Sequence, residues 1–125
     1  MNINIDQLDA AVQELKGVLK EGLLAADIWD RATGLPLASY NPQPAAVALF
    51  TEMTNTLANT LSDSGFPGLK RYYFLELDGD HIVMVIRHGN DLLQGILMNS
   101  QKVNLGLLFS VALPKMLSSV EKSRG

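Results

Sequence analysis

Residues 25–39 read Ala25-Ala26-Asp27-Ile28-Trp29-Asp30-Arg31-Ala32-Thr33-Gly34-Leu35-Pro36-Leu37-Ala38-Ser39. An apolar run meets a polar turn, and a second short apolar run returns from it. Residues 23–29 predict a strand near the middle of a sheet. Asp30 to Gly34 supplies the turn, with Gly34 free to take a positive φ. Residues 35–40 predict the return strand. Pro36 has no N–H to give to a ladder, so this strand belongs at a sheet edge.

Upstream, Ile5, Leu8, Val12, Leu15 and Leu19 recur at spacings of three and four and mark one stripe of a helix over residues 5–20. Asn4 stands at its N-cap with Gln7 three residues on, and Gly22 stands where a helix stops. Downstream, the Pro-rich break at residues 41–44 leads into a second helix over residues 45–63. Its predicted buried stripe is Ala46, Leu49/Phe50, Met53, Leu57 and Leu61. Apart from Glu52, the polar positions before Asp63 are Thr, Asn and Ser. Thr and Asn are mediocre helix formers, and a solvated helix usually carries Glu and Lys instead. Small uncharged side chains suit contact with another protein surface.

Two further strands follow over residues 71–77 and 81–88, joined by Asp78-Gly79-Asp80, a strong hairpin signal. Alternation is expected to place Tyr73, Leu75 and Leu77 with Ile82, Met84 and Ile86 on one face, and Tyr72 and Phe74 with Val83 and Val85 on the other. A fifth strand is predicted over residues 92–98. Asn99-Ser100 is expected to cap a last helix over residues 101–120, with residues 105–113 well buried and Pro114 kinking or interrupting it. The tail from Glu121 to Gly125 is expected to fray. No linker or repeat divides the 125 residues, which predict one domain.

No chemistry-bearing constellation assembles in this chain. Cysteine is absent, which excludes disulfides, thiolate catalysis and Cys-ligated metals. His81 and His88 sit seven residues apart on one predicted strand and so point to opposite faces. No serine lies in a G-x-S-x-G context, and residues 65–70 lack the spacing of a phosphate-binding loop. Neither a cofactor nor a metal ligand set is expected. The ten basic residues are scattered and the net charge is −3, which argues against nucleic acid as a partner. The N-terminus carries no secretory pattern and no apolar run spans a bilayer, so a soluble, cytoplasmic protein is expected. With 47% apolar and only 18% charged residues, a chain this small is short of charge to cover its own surface. It is expected to hide part of that surface against a partner.

The order helix, strand, strand, helix, three strands, helix, together with the residue 25–39 hairpin, the Tyr72-Tyr73-Phe74 strand and the Asp78-Gly79-Asp80 turn, resembles the Roadblock family of dynein light chains and bacterial and archaeal regulators of small GTPases. The resemblance implies an α+β, profilin-like fold. In it, a five-stranded antiparallel sheet carries the long second helix on one face and the terminal helices on the other. It also implies a homodimer in which second helices pair and third strands join edge to edge. The implied contact draws on Phe50, Thr51, Thr54, Asn55, Leu57, Ala58, Leu61, Tyr72 and Phe74. No catalytic residue carries over from the family. The function implied is that of a non-enzymatic module acting on a small Ras-like GTPase. The competing reading is a small-molecule sensor with a pocket between sheet and helix, lined by Tyr72, Tyr73 and Trp29. Asp27 and Gln94 are its only mid-strand polar candidates.

Overall fold

In the computed structural model, which describes residues 2–125, the elements follow the expected order. Helix α1 (Ile5–Leu19) begins where Asn4 Oδ1 accepts the Gln7 N–H at 3.2 Å. It buries Leu8, Ala11, Val12, Leu15 and Leu19. The residue that turns the chain out of α1 is Lys20, at φ 53°, and not Gly22. Gly22 serves a different need: a Cβ there would stand 2.6 Å from the Val103 Cα, so only glycine lets the two backbones meet.

The strands β1 (Leu23–Asp30), β2 (Pro36–Tyr40), β3 (Tyr72–Leu77), β4 (His81–His88) and β5 (Leu92–Asn99) form one antiparallel sheet in the order β2-β1-β5-β4-β3. Pro36 opens β2 on one edge, as its missing donor requires, and β3 forms the other edge. Gly34 takes φ 74° in the first hairpin. Against one face pack α1 and the closing helix, enclosing Ala26, Ile28, Ile82, Met84, Ile86, Leu92, Ile96 and Met98. Against the other lies α2 (Pro44–Asp63), whose Val47 and Phe50 cover Trp29, Val83, Val85 and Leu93.

Three further expectations need correction here. First, the sides of β3 are exchanged. Asp78, Gly79 and Asp80 form a loop of three residues that pairs Leu77 with His81, Phe74 with Met84 and Tyr72 with Ile86. A loop of odd length pairs odd-numbered residues with odd, so Tyr73 and Leu75 join Val83 and Val85 under α2. Phe74 lies with the core on the α1 side. Gly79 (φ 75°) and Asp80 (φ 60°) supply the left-handed backbone for that turn.

Second, the closing helix starts at Leu105, capped by Asn104, whose Oδ1 accepts the Leu107 N–H at 3.0 Å. It runs as α3 (Leu105–Leu107), a π-helical stretch (Leu108–Ala112) and α4 (Leu113–Ser123). The wide π stretch comes just before Pro114, whose ring crowds the carbonyl of an ordinary preceding turn and whose nitrogen donates nothing. Leu108, Ala112, Met116, Val120 and Ser123 form its fully buried stripe, while Leu105, Leu107 and Phe109 stay exposed in spite of the apolar run around them. Third, the tail does not fray. Ser123 is buried and its carbonyl accepts the Asn4 N–H at 2.7 Å. Arg124 holds both Asp91 carboxylate oxygens at 2.8 and 2.9 Å, and donates to the His88 carbonyl at 2.7 Å.

Candidate interaction surface

Helix α2 has three differently dressed sides. The inward side carries Val47, Phe50 and Thr54, the last fully buried at 0% exposure. Thr54 Oγ1 donates to the Phe50 carbonyl at 2.6 Å and lies 2.9 Å from the Tyr73 hydroxyl, tying the helix to β3. Burial raises the Tyr73 phenol above its ordinary pKa, with the Thr54 hydrogen bond opposing. Thr51 accepts the Trp29 indole N–H at 2.8 Å and donates to the Val47 carbonyl. The bulk of Trp29 is accommodated at Gly95, where a Cβ would come within 3.3 Å of the indole ring.

Phe50, Thr51 and Thr54 are therefore spent on the chain's own sheet and leave little to offer a partner. Asn55, on the side of α2 facing the first hairpin, is exposed, and its Oδ1 accepts Arg31 Nε at 3.0 Å and Nη2 at 2.6 Å. Leu57, Ala58 and Leu61 are half-buried.

The third side, away from that hairpin, is an open groove lined by Leu49, Glu52, Met53, Thr56, Leu57 and Thr60. Leu49, read from the sequence as buried, is 51% exposed. Helix α2 has apolar residues on two adjoining stripes, one through Ala46, Leu49 and Met53 and one through Val47 and Phe50. The spacing alone does not say which faces inward, and Trp29 and Tyr73 decide it by bonding Thr51 and Thr54. Beside this groove, β3 hydrogen-bonds to β4 alone and leaves its outer edge unpaired within the chain. That edge is aromatic. Tyr72 is 40% exposed, and the rings of Tyr72 and Phe74 lie 6.1 and 5.7 Å from that of Phe109.

The polar groups that a small-molecule site would use do not converge. Asp27 borders a cavity of about 210 Å³ beneath the start of α2, with Trp29, Phe50, Val83 and Leu97. Its two carboxylate oxygens already accept Ser39 Oγ at 2.5 Å and the Gln43 N–H at 3.2 Å. Gln94 faces the opposite side of the sheet, buried against His88 with Oε1 2.8 Å from Nε2. His81 sits at the other end of β4, its Nδ1 3.0 Å from the Asp78 carbonyl. Among the described residues no group of three His, Cys, Asp or Glu is placed to hold a metal ion, and no helix is long and apolar enough to cross a membrane.

No family model matches the sequence, and no curated protein resembles it. Solved structures do. Myxococcus xanthus MglB superposes with a TM-score of 0.80 at 12% identity, covering 94% of this chain and 87% of that one. A Roadblock/LC7 domain from Streptomyces avermitilis gives 0.66 at 18% identity, covering 93% of each. An MglB described with a tetrameric arrangement gives 0.71 at 14% identity, covering 96% of this chain and 91% of that one. Profilins are among the further matches. The chain has the Roadblock fold, in the form seen in MglB, within the wider profilin-like architecture.

Proposed function

We propose that this chain is a non-catalytic regulatory module that works as a homodimer and binds a small Ras-like GTPase, modulating its nucleotide cycle or its localisation. The observation that carries this reading is the continuity of two unsatisfied surfaces: the outer groove of α2 and the free aromatic edge of β3. Thr54 and Tyr73 hold these elements together, so one two-fold axis can cover both. An exposed apolar edge strand invites pairing with another chain, and pairing with its own copy removes the hazard. Likeness to MglB, one structure of which is described as tetrameric, supports self-association. The GTPase partner rests on the resemblance to Roadblock regulators.

In such a module, any effect on hydrolysis comes from positioning the GTPase's own catalytic residues, because this chain offers no candidate set. The test is binding of Ras-like GTPases encoded in the same genome, each loaded with GDP or a non-hydrolysable GTP analogue, to the immobilised chain. Preference of at least one GTPase for the chain in one nucleotide state is expected. Failure of every such GTPase in both states overturns the assignment.

A further inference from the structure

The only ion pairs among the described residues belong to Arg124. Two other arginines stand out because they are partly buried without an acidic partner. Arg87 lies on the α2 side of β4, in the row that runs across the sheet through Leu93 to Trp29. Its Nη1 donates to the Leu69 carbonyl at 2.6 Å, its Nε is buried with no hydrogen-bond partner, and its Nη2 bonds to nothing among the described residues. Arg31 leaves β1 two residues beyond Trp29, on the same side. Two strand spacings, roughly 10 Å, separate β1 from β4, a gap two arginine side chains can close. Arg31 is held by the neutral amide of Asn55 and lines an open groove of about 590 Å³ between the first hairpin and α2, with Thr33, Thr51 and Asn59. Its guanidinium pKa is lowered by burial and further by the charge of Arg87. Glu52 borders the same groove but pairs with neither arginine.

Buried charge is ordinarily paired, and a guanidinium with an orphaned buried N–H departs from that rule. Arg87 is that group, and the like charge of Arg31 beside it adds repulsion in place of an acidic partner, which fold stability does not explain. We propose that Arg31 and Arg87 form an oxyanion-binding site that takes a phosphate or carboxylate group beside the first hairpin. The planar, multi-donor geometry of guanidinium suits both groups, and Asn55 presents Arg31 without neutralising it. The site lies on the hairpin side of α2 and adjoins the outer groove, with Glu52 and Thr56 bordering both.

The experiment is thermal unfolding of the full chain in chloride, in inorganic phosphate and in acetate at matched ionic strength. The wild type is compared with Arg31→Gln and Asn55→Asp. A saturable rise of the midpoint is expected in wild type. A rise with phosphate alone identifies a phosphoryl ligand, and equal rises with phosphate and acetate identify a carboxylate one. Arg31→Gln is expected to weaken the apparent affinity by at least about tenfold, the factor carried by one charge-assisted hydrogen bond. Asn55→Asp installs a permanent carboxylate, so it is expected to raise the chloride midpoint and abolish the oxyanion response. No saturable response in wild type overturns the proposal, as does a response that both variants retain.

Discussion

At the scale of single residues, the decisive contacts are polar ones inside the apolar layers. Thr54 is the clearest. Replacing it with valine keeps the shape but removes the extra donor to the Phe50 carbonyl and leaves the Tyr73 hydroxyl without its partner. Thr54→Val is expected to cost about 1–2 kcal/mol in urea unfolding. His88 sets a pH dependence. Burial pushes its imidazole down to about 4, with the Gln94 hydrogen bond opposing. In the unfolded chain the group titrates near 6.5, so the unfolded state takes up the proton first as pH falls. The stabilisation is complete above about pH 6.5 and is lost as pH falls to about 4, a change of about 3 kcal/mol. Urea midpoints measured at pH 7, 5.5 and 4 are expected to show that slope, and a His88→Gln variant to flatten it. These roles were hidden in the sequence. His88 reads as a strand-end polar residue, and nothing in the spacing of Thr51 and Thr54 says that Trp29 and Tyr73 stand opposite them.

At the scale of elements, most of the fold was legible. Pro36 marked β2 as an edge, Asn4 and Gln7 marked the start of α1, and the Asp-Gly-Asp turn marked the β3–β4 hairpin. What failed was parity and exposure. A loop of three residues and one of two or four send the same strand to opposite faces, and Asp78-Gly79-Asp80 carries no mark of which it is. The closing helix misled because an apolar run does not say which stripe meets the sheet. There Pro114 and the π stretch fix the rotation, and Phe109 turns out toward the edge of β3. The tail was misread because a polar terminus reads as solvated until Asp91 is seen beside Arg124. Both partners of that pair are partly exposed, so Arg124→Ala is expected to cost only about 1 kcal/mol. Its effect should be local, with faster hydrogen exchange at the Asn4 amide and in the last turn of α4 and little change in the central strands.

For the whole molecule, the low charge of the chain finds its counterpart in where the apolar surface lies. Part of it lies along the outer groove of α2 and the β3 edge, where Leu49, Tyr72 and Leu77 are exposed, while Ile5, Leu35, Phe66, Leu105 and Leu107 are exposed elsewhere. Of the contact residues read from the sequence, Leu57 lines that groove and Tyr72 stands exposed on that edge. Thr54 is sealed inside, and Asn55 engages Arg31 on the hairpin side. In the proposed dimer, a partner helix docked on the α2 side would exclude water from the leucine surface of Leu49 and Leu57, and a partner strand would cover the β3 edge, at roughly 25 cal/mol per Å². A charge placed in the groove opposes that docking without disturbing the chain's own core.

The most direct measurement is the solution mass by sedimentation equilibrium of the wild type and of Leu49→Glu, a position already half in solvent. The account predicts a wild-type dimer at micromolar concentration, and a variant that is monomeric yet unfolds with the wild-type cooperativity. A wild-type monomer, or a dimer indifferent to Leu49→Glu, would contradict it.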